Sequence, residues 1–470
     1  MEFILKHKFE TVLLFIPVMA LIVLRLLKFD GLYGQDSYEY LRYSIEIKKF
    51  FLTGIHPGHS FWPAGFPILA ALFSFFMPAT VSVQLVSFLS LYGVLYFIWR
   101  LIILLYKEHS NVLMFLSTAL LLSPYMLRGS LISMSDLPAT FWLLGSTFFA
   151  VKYYRVNGFR EILLSVLFGS LSVFTRYAAI VPVATIFMGL AYLWLKNIRV
   201  LHLLCLFLPI GFLVLHLYFN EVSVNPVQHF PVNVWSFINY FKSSFIDEQG
   251  SFNYLFPNII HVLKVFFHPG FLILNSVFLF VIIWKKKFDF DFGIVIIGLV
   301  LLIYSLFLAG IPFQNSRFLL LTYPFALILI YPGFEYLMNL FGKYKLYLFG
   351  FLIVLQIALF TRAIMPTFQL NLVERNVVSQ MKTHQNQTLY SFDVDVALQG
   401  RGLDFDYRNL WIEKYSSFEN GALVLFNTEK LKAQWDGKNP MLNWDYMNEN
   451  YRLLLLDELG SGWKLYRIEE

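Results

Sequence analysis

The sequence predicts a polytopic α-helical membrane protein of about 11 transmembrane helices, with horizontal helices in its first outer loop and a small C-terminal α+β domain. Three observations carry this. Of the 470 residues 58% are hydrophobic and 14% charged, with mean hydropathy +0.63. A soluble protein carries about 25% charge, so too little polar surface remains to coat a water-soluble globule. Long apolar runs alternate with short basic turns as far as Arg362, and beyond Ala363 the chain turns mixed and polar. The formal charge of +6 does not point to nucleic acid, because the Lys and Arg residues sit in those turns. The single cysteine, Cys205, excludes an intrachain disulfide.

Lys6 and Lys8 precede an apolar run with no small-residue cleavage site after it. That predicts an uncleaved first helix, Thr11 to Leu27, with a cytoplasmic N-terminus. The first outer loop, 31–78, is the first long polar stretch. It holds Asp36, Tyr38, Glu39 and Tyr40, the basic Arg42, Lys48 and Lys49, a His56-Pro57-Gly58-His59 turn and Trp62-Pro63. Its last piece, Gly65–Met77, is about 13 residues where a span needs about 20, so it is expected to lie flat.

Further apolar runs cover Val81–Tyr106, Asn111–Leu127, Leu137–Tyr154, Ile162–Phe174, Ala178–Leu195, Val200–Phe219, Ile259–Trp284, Phe292–Ile311, Phe318–Met338 and Tyr344–Arg362. With Gly65–Met77 flat, the basic turns at Lys107, Lys152–Arg160, Lys196–Arg199, Lys285–Lys287 and Lys343–Lys345 all fall inside, as the positive-inside rule requires. The loops holding Asp36, Asp136, Arg176 and Arg317 then face outward. An odd number of spans puts the C-terminal part outside as well. The expected units are 1–365, a transmembrane catalytic domain, and 366–470, an extracytoplasmic α+β domain. Apolar runs in the latter lie at Thr388–Phe392, Ala422–Phe426, Tyr451–Leu456 and Trp463–Ile468, the last two joined by a hairpin turn. No internal repeat is visible.

Five motifs in this order carry a family resemblance: Gln35-Asp36-Ser37-Tyr38, Trp62-Pro63-Ala64-Gly65-Phe66-Pro67, Ser133-Met134-Ser135-Asp136-Leu137-Pro138, Phe174-Thr175-Arg176-Tyr177 and Gln314-Asn315-Ser316-Arg317-Phe318. Together the chain resembles the GT-C superfamily of membrane glycosyltransferases, in its dolichyl-phosphate-mannose mannosyltransferase-like and aminoarabinose-transferase-like bacterial branch. The resemblance implies a polyprenyl-phosphate-linked sugar donor and a reaction at the outer side of a bacterial-type inner membrane. The acceptor would be a glycolipid, a glycan or a protein. It carries the role of active-site acid onto Asp36. Asp36 is followed by Ser37 and not by a second acid, which leaves the base open between Asp36 and Glu39 and a divalent metal possible.

Each candidate has a plainer reading. Asp36 and Glu39 fit a capping box, and Asp136 with Pro138 fits a helix start. As a catalytic group, Asp36 would take the acceptor hydroxyl's proton, with Asp136 assisting. Arg176 breaks two apolar runs and would grip the donor phosphate through its planar fork; otherwise it reaches lipid headgroups. Arg317 and Gln314 are assigned to the same phosphate. Tyr38, Glu39, Tyr40 and Tyr177 are assigned to the acceptor or donor pocket. His56 and His59 lack a third ligand, so no metal site is assigned. The competing function is a transporter or flippase for a lipid-linked or small polar substrate, which would place its polar site near the membrane midplane.

Overall fold

A computed structural model describes residues 12–220, 235–247, 250–272, 274–285 and 291–469. His229 and the Lys286-Lys287 part of one expected inside turn lie outside the described residues. Apolar helices dominate, and the C-terminal part is built on a sheet, as the sequence predicts.

The first apolar helix, α1 (Ile16–Leu26), ends in a turn through Lys28 and Gly31, both with positive φ. The first outer loop then forms a helix of its own, α2 (Gly34–Thr53). Its mean composition is polar, but Ser37, Tyr38, Tyr40, Leu41, Tyr43, Ser44 and Ile47 are buried. Those positions recur at three- and four-residue steps and wrap the helix on more than one side, so α2 has protein on opposite faces. A short helix, α3 (Gly65–Phe73), follows where the flat piece was expected.

Next come α4 (Ala79–Leu105), α5 (Val112–Leu116) and α6 (Pro124–Leu131). A π turn, Ser117–Leu121, prolongs α5, and the axis bends by 64° at Pro124. Then α7 (Asp136–Val156) and α8 (Phe159–Thr175) run antiparallel around Asn157 in the left-handed region and Gly158. Their seam uses small polar residues: the Ser146 and Ser165 hydroxyls each donate to the other's backbone carbonyl at 2.8 Å, and Ser172 donates to the Ala139 carbonyl at 2.8 Å. This is the close-approach packing expected where lipid removes the hydrophobic drive between helices. The bundle continues through α9 (Ile180–Lys196), α10 (Phe207–Phe219), α11 (Asn275–Lys285), α12 (Phe292–Gly310), α13 (Tyr323–Phe341) and α14 (Lys345–Met381).

By length and composition, five helices among the described residues can cross a membrane, or six if the bent pair counts as one. The expected eleven is not reached by that measure. Part of the gap has a clear cause. Ile259–Trp284 was expected as one span, but helical structure covers Asn258–Phe267 and Asn275–Lys285 separately. Pro269 has no N–H to donate and disfavours helix in the residue before it. His268 Nδ1 instead accepts from the Gly270 amide at 3.0 Å, closing a tight turn.

The C-terminal sheet has strand order β4–β3–β5–β7–β6, with β3 (Thr388–Ser391), β4 (Asp406–Asn409), β5 (Leu423–Phe426), β6 (Arg452–Gly460) and β7 (Trp463–Glu469). The first three are parallel; β5, β7 and β6 are antiparallel. Helix α15 (Asp395–Gly400) crosses from β3 to β4. The central β5 is buried along its length, as a strand covered on both faces must be. One face packs on α16 (Thr428–Trp435) and α17 (Asn439–Asn450). The other packs with α15 on α2 and on the far end of α14, around Tyr38, Val377, Val378, Leu398 and Trp463.

Candidate functional site

Four charged side chains from four separate segments meet at one end of the helix bundle. Asp36 comes from the first turn of α2, Asp136 from the start of α7, Arg176 from the residue after α8 and Arg317 from a 3-10 turn, Ser316–Leu321, that leads into α13. Arg317 Nη2 binds Asp36 Oδ2, and its Nε lies 3.8 Å from Asp136 Oδ2. Arg176 Nη2 lies 3.1 Å from Asp136 Oδ1. The Arg176 and Asp136 side chains are 6% and 2% exposed, and those of Arg317 and Asp36 15% and 17%. Two carboxylates and two guanidiniums therefore neutralise one another away from water, the condition under which buried charge is tolerable.

Each position follows from local structure. The chain enters α2 through extended Tyr33, so Asp36 is the third helical residue, not the N-cap. The capping-box expectation fails for a physical reason: helix starts two residues before Asp36, and Arg317 takes its carboxylate. Asp136 is the first residue of α7, and no side chain caps that end. Ser135, at the capping position, instead shares a 2.7 Å hydrogen bond with Tyr40 Oη and accepts from Arg176 Nη1 at 3.2 Å. The loop before α7 is fixed from α4, where Ser87 Oγ donates to the Met134 carbonyl at 2.8 Å. The Arg176 guanidinium also lies over the Phe318 ring, 5.6 Å from its centroid.

Tyr40 belongs with this cluster. It sits four residues after Asp36 on the same side of α2, with its ring 4.8 Å from Phe66 and 6.4 Å from Trp62. The Trp62–Pro67 motif is thus the aromatic wall beside Tyr40. Arg317 is aimed by Asn315, whose side chain accepts from the Arg317 amide at 2.9 Å. The loop behind it is pinned by the β1–β2 hairpin (Ser244–Asp247 and Gly250–Asn253) through Ile246, which exchanges backbone bonds with Pro312 and Gln314.

Other expected site residues lie elsewhere. Two residues on from Asp36 is about 200° round a helix, and Tyr38 accordingly points to the opposite side, where its hydroxyl donates to Glu374 at 2.6 Å. Glu39 is drawn to Arg42 by hydrogen bonds of 2.6 and 2.8 Å. Tyr177 faces His216, 3.4 Å from hydroxyl to Nε2. Gln314 is buried and donates to the Leu308 carbonyl in the last turn of α12 at 3.2 Å. Ser135 and Phe318 also touch the cluster; neither is a charged residue that the sequence makes conspicuous, but both lie inside the Ser133–Pro138 and Gln314–Phe318 motifs. His56 bridges the Tyr218 carbonyl and the Gly58 amide, at 2.9 and 3.1 Å.

The cluster also holds unmet polar atoms. Ser133 Oγ, Asp136 Oδ1, Arg176 Nε, Arg317 Nε and Gln314 Oε1 are buried without a hydrogen bond. Buried polar groups are nearly always paired, so several orphans in neighbouring loops mark a place where a polar ligand finds partners. Among the described residues no group of three or more His, Cys, Asp or Glu is gathered for a metal. The two carboxylates are already neutralised by guanidiniums, which would repel a divalent cation. This donor set fits an anion that can take over the arginines.

No family model matches the sequence, and no curated protein matches it. Solved structures do. ArnT from Cupriavidus metallidurans bound to undecaprenyl phosphate aligns over 96% of this chain and 97% of its own, with TM-score 0.59 and 10% identity. The apo state of the same protein covers 97% and 98%, with TM-score 0.59 and 11% identity. The archaeal oligosaccharyltransferase AglB from Archaeoglobus fulgidus, in complex with an inhibitory peptide and a dolichol-phosphate, reaches TM-score 0.47 at 10% identity, over 84% of this chain and 64% of its own. Identity this low speaks for fold alone: the chain shares the fold of ArnT over nearly its whole length.

Proposed function

We propose that this integral membrane protein is a glycosyltransferase that moves a sugar from a polyprenyl-phosphate-linked donor to a glycolipid, glycan or protein acceptor at the outer face of the membrane. The observation that carries the reading is the meeting of Asp36, Asp136, Arg176 and Arg317 at the helix ends. A midplane substrate site, as a transporter needs, would draw its charges from helix middles. Here they come from the start of α7, the end of α8 and the turn before α13.

Asp36 takes the proton of the acceptor hydroxyl while that oxygen forms a bond to the anomeric carbon. The bond from that carbon to the phosphate oxygen breaks, and its electron pair leaves with the polyprenyl phosphate. One displacement on the face opposite the leaving group inverts the anomeric centre. Arg176 and Arg317 bind the phosphate and meet the charge that grows on it. Asp136 holds both guanidiniums in place. A carboxylate bound to Arg317 is a poor base, so a donor phosphate that draws Arg317 away also frees Asp36. The basic turns at the other ends of the helices support the outward placement.

The test is transfer from radiolabelled polyprenyl-phosphate sugars in membranes, wild type against Asp36→Asn. Loss of transfer with unchanged expression and folding supports the assignment. Transfer that persists in Asp36→Asn removes Asp36 as the base.

A further inference from the structure

The strip from Lys28 to Tyr38 joins α1 to α2 and ends beside Asp36, and the far end of α14 and the sheet unit hold it at several polar points. Arg375 donates to the Lys28 carbonyl. Asn371 donates to Asp30 at 2.7 Å and to the Leu32 carbonyl at 2.8 Å. Arg401 binds Asp30 at 2.7 Å and donates to the Tyr38 hydroxyl at 3.3 Å. That hydroxyl donates in turn to Glu374. A Cβ on Gly400 would lie 2.7 Å from Tyr38 Cδ1, so the backbone of α15 packs against the ring with no room for a side chain.

We propose that Glu374 and Arg401 are positioning residues that hold Tyr38, and through the rigid first turn of α2 fix Asp36 against Arg317. The proposal rests on the glycosyltransferase reading above. Tyr38 and Asp36 lie two residues apart in one helical turn, so α2 cannot rotate to bring Asp36 elsewhere without pulling Tyr38 out of its buried seat. The sheet unit is therefore part of the catalytic frame: misplacement by about 1 Å costs about a hundredfold in rate.

Chemistry supports a neutral latch. Facing Glu374 are Tyr38 from α2, Arg401 after α15, Asp393 from the loop after β3 and Lys430 from α16; on its own helix, Arg375 turns to the Lys28 carbonyl. Burial dominates and pushes the Glu374 carboxyl up to about 8. At neutral pH it is a neutral acid whose oxygen accepts from Tyr38, and Arg401 is left to pair with Asp30. Above that value an ionised carboxylate would compete with Asp30 for Arg401 and loosen the strip.

The experiment compares full-length wild type, Arg401→Ala, Glu374→Ala and Glu374→Gln by hydrogen exchange over residues 28–40 and by transfer kinetics. In Arg401→Ala and Glu374→Ala, exchange of the strip rises about tenfold, and kcat falls about tenfold while KM for the donor stays within about twofold. Glu374→Gln keeps the hydrogen bond to Tyr38, so it restores both readouts and abolishes a fall in kcat as pH rises through about 8. Unchanged exchange in Arg401→Ala, or raised exchange with unchanged kcat, overturns the positioning role alone. A Glu374→Gln protein as impaired as Glu374→Ala also overturns it. A wild type that transfers from no donor overturns the parent reading and the positioning role with it.

Discussion

Two charged networks lie on opposite sides of one helix, and their chemistry differs. On one side of α2, Asp36 joins Asp136, Arg176 and Arg317, where charge balances but several atoms lack hydrogen bonds. On the other side Tyr38 joins Glu374, Arg401, Asp30 and Asn371 through a chain of direct hydrogen bonds of 2.6 to 3.3 Å. The first network has bonding capacity left for a ligand. The second leaves Asn371 Oδ1 and Arg401 Nε unmet, but each of its members already makes a direct hydrogen bond that ties one chain segment to another. One turn of helix thus separates a set built to exchange partners from a set built to keep them.

The sharpest way to break the comparison is Asp36→Asn, which should abolish measurable transfer, a loss of at least about a hundredfold for a positioned base, while exchange of residues 28–40 stays as in wild type. Arg317→Ala comes next. It leaves Asp36 and Asp136 short of a counter-charge, which costs about 3–5 kcal/mol for a buried pair, so thermal unfolding in detergent should fall along with retention of polyprenyl phosphate. Gly65→Ala attacks the same side without touching charge. Its Cβ would sit 2.5 Å from the Phe174 carbonyl oxygen, two residues before Arg176. The backbone must give way, at about 1–3 kcal/mol, and transfer should drop about tenfold as Arg176 shifts.

A pH titration of stability probes the sheet side. Burial raises Asp395 to about 7, against a model-peptide value near 3.8. The folded state then holds a proton that the unfolded chain releases, so this contribution is complete at the lowest pH and is lost as pH rises from about 4 through about 7. Asp395→Asn should flatten that part of the unfolding curve. The smallest effect belongs to Glu39→Gln. That carboxylate only serves Arg42 in a partly exposed pair, which is worth about 0–1 kcal/mol; transfer should change by less than about twofold. A large loss there would move the base to Glu39.

The sequence made one of these networks conspicuous and hid the other. Asp36, Asp136, Arg176 and Arg317 stand out because charge beside long apolar runs is rare and expensive. Glu374 and Arg401 lie in a stretch where charge is ordinary, so nothing in the sequence marks them. Proximity along the chain groups Tyr38 and Glu39 with Asp36, but 100° of rotation per residue sends each to a different side. The apolar run around Pro269 masks the break there, although Pro269 itself signals one. Four of the five strands of the C-terminal unit are legible as short apolar runs; β4, a polar edge strand over Asp406–Asn409, is not, nor is the mixed parallel and antiparallel order, because it depends on which helices cross between the strands.

Helix α14 runs unbroken from Lys345 to Met381, 37 residues, through the expected boundary at 365–366. It carries Asn371, Glu374 and Arg375 on the part beyond the apolar stretch. A single residue inserted between Arg362 and Asn371 would turn everything after it by about 100° and raise it about 1.5 Å. Asn371, Glu374 and Arg375 would then miss Asp30, Tyr38 and Lys28 together. This segment should therefore accept many substitutions while rejecting insertions and deletions.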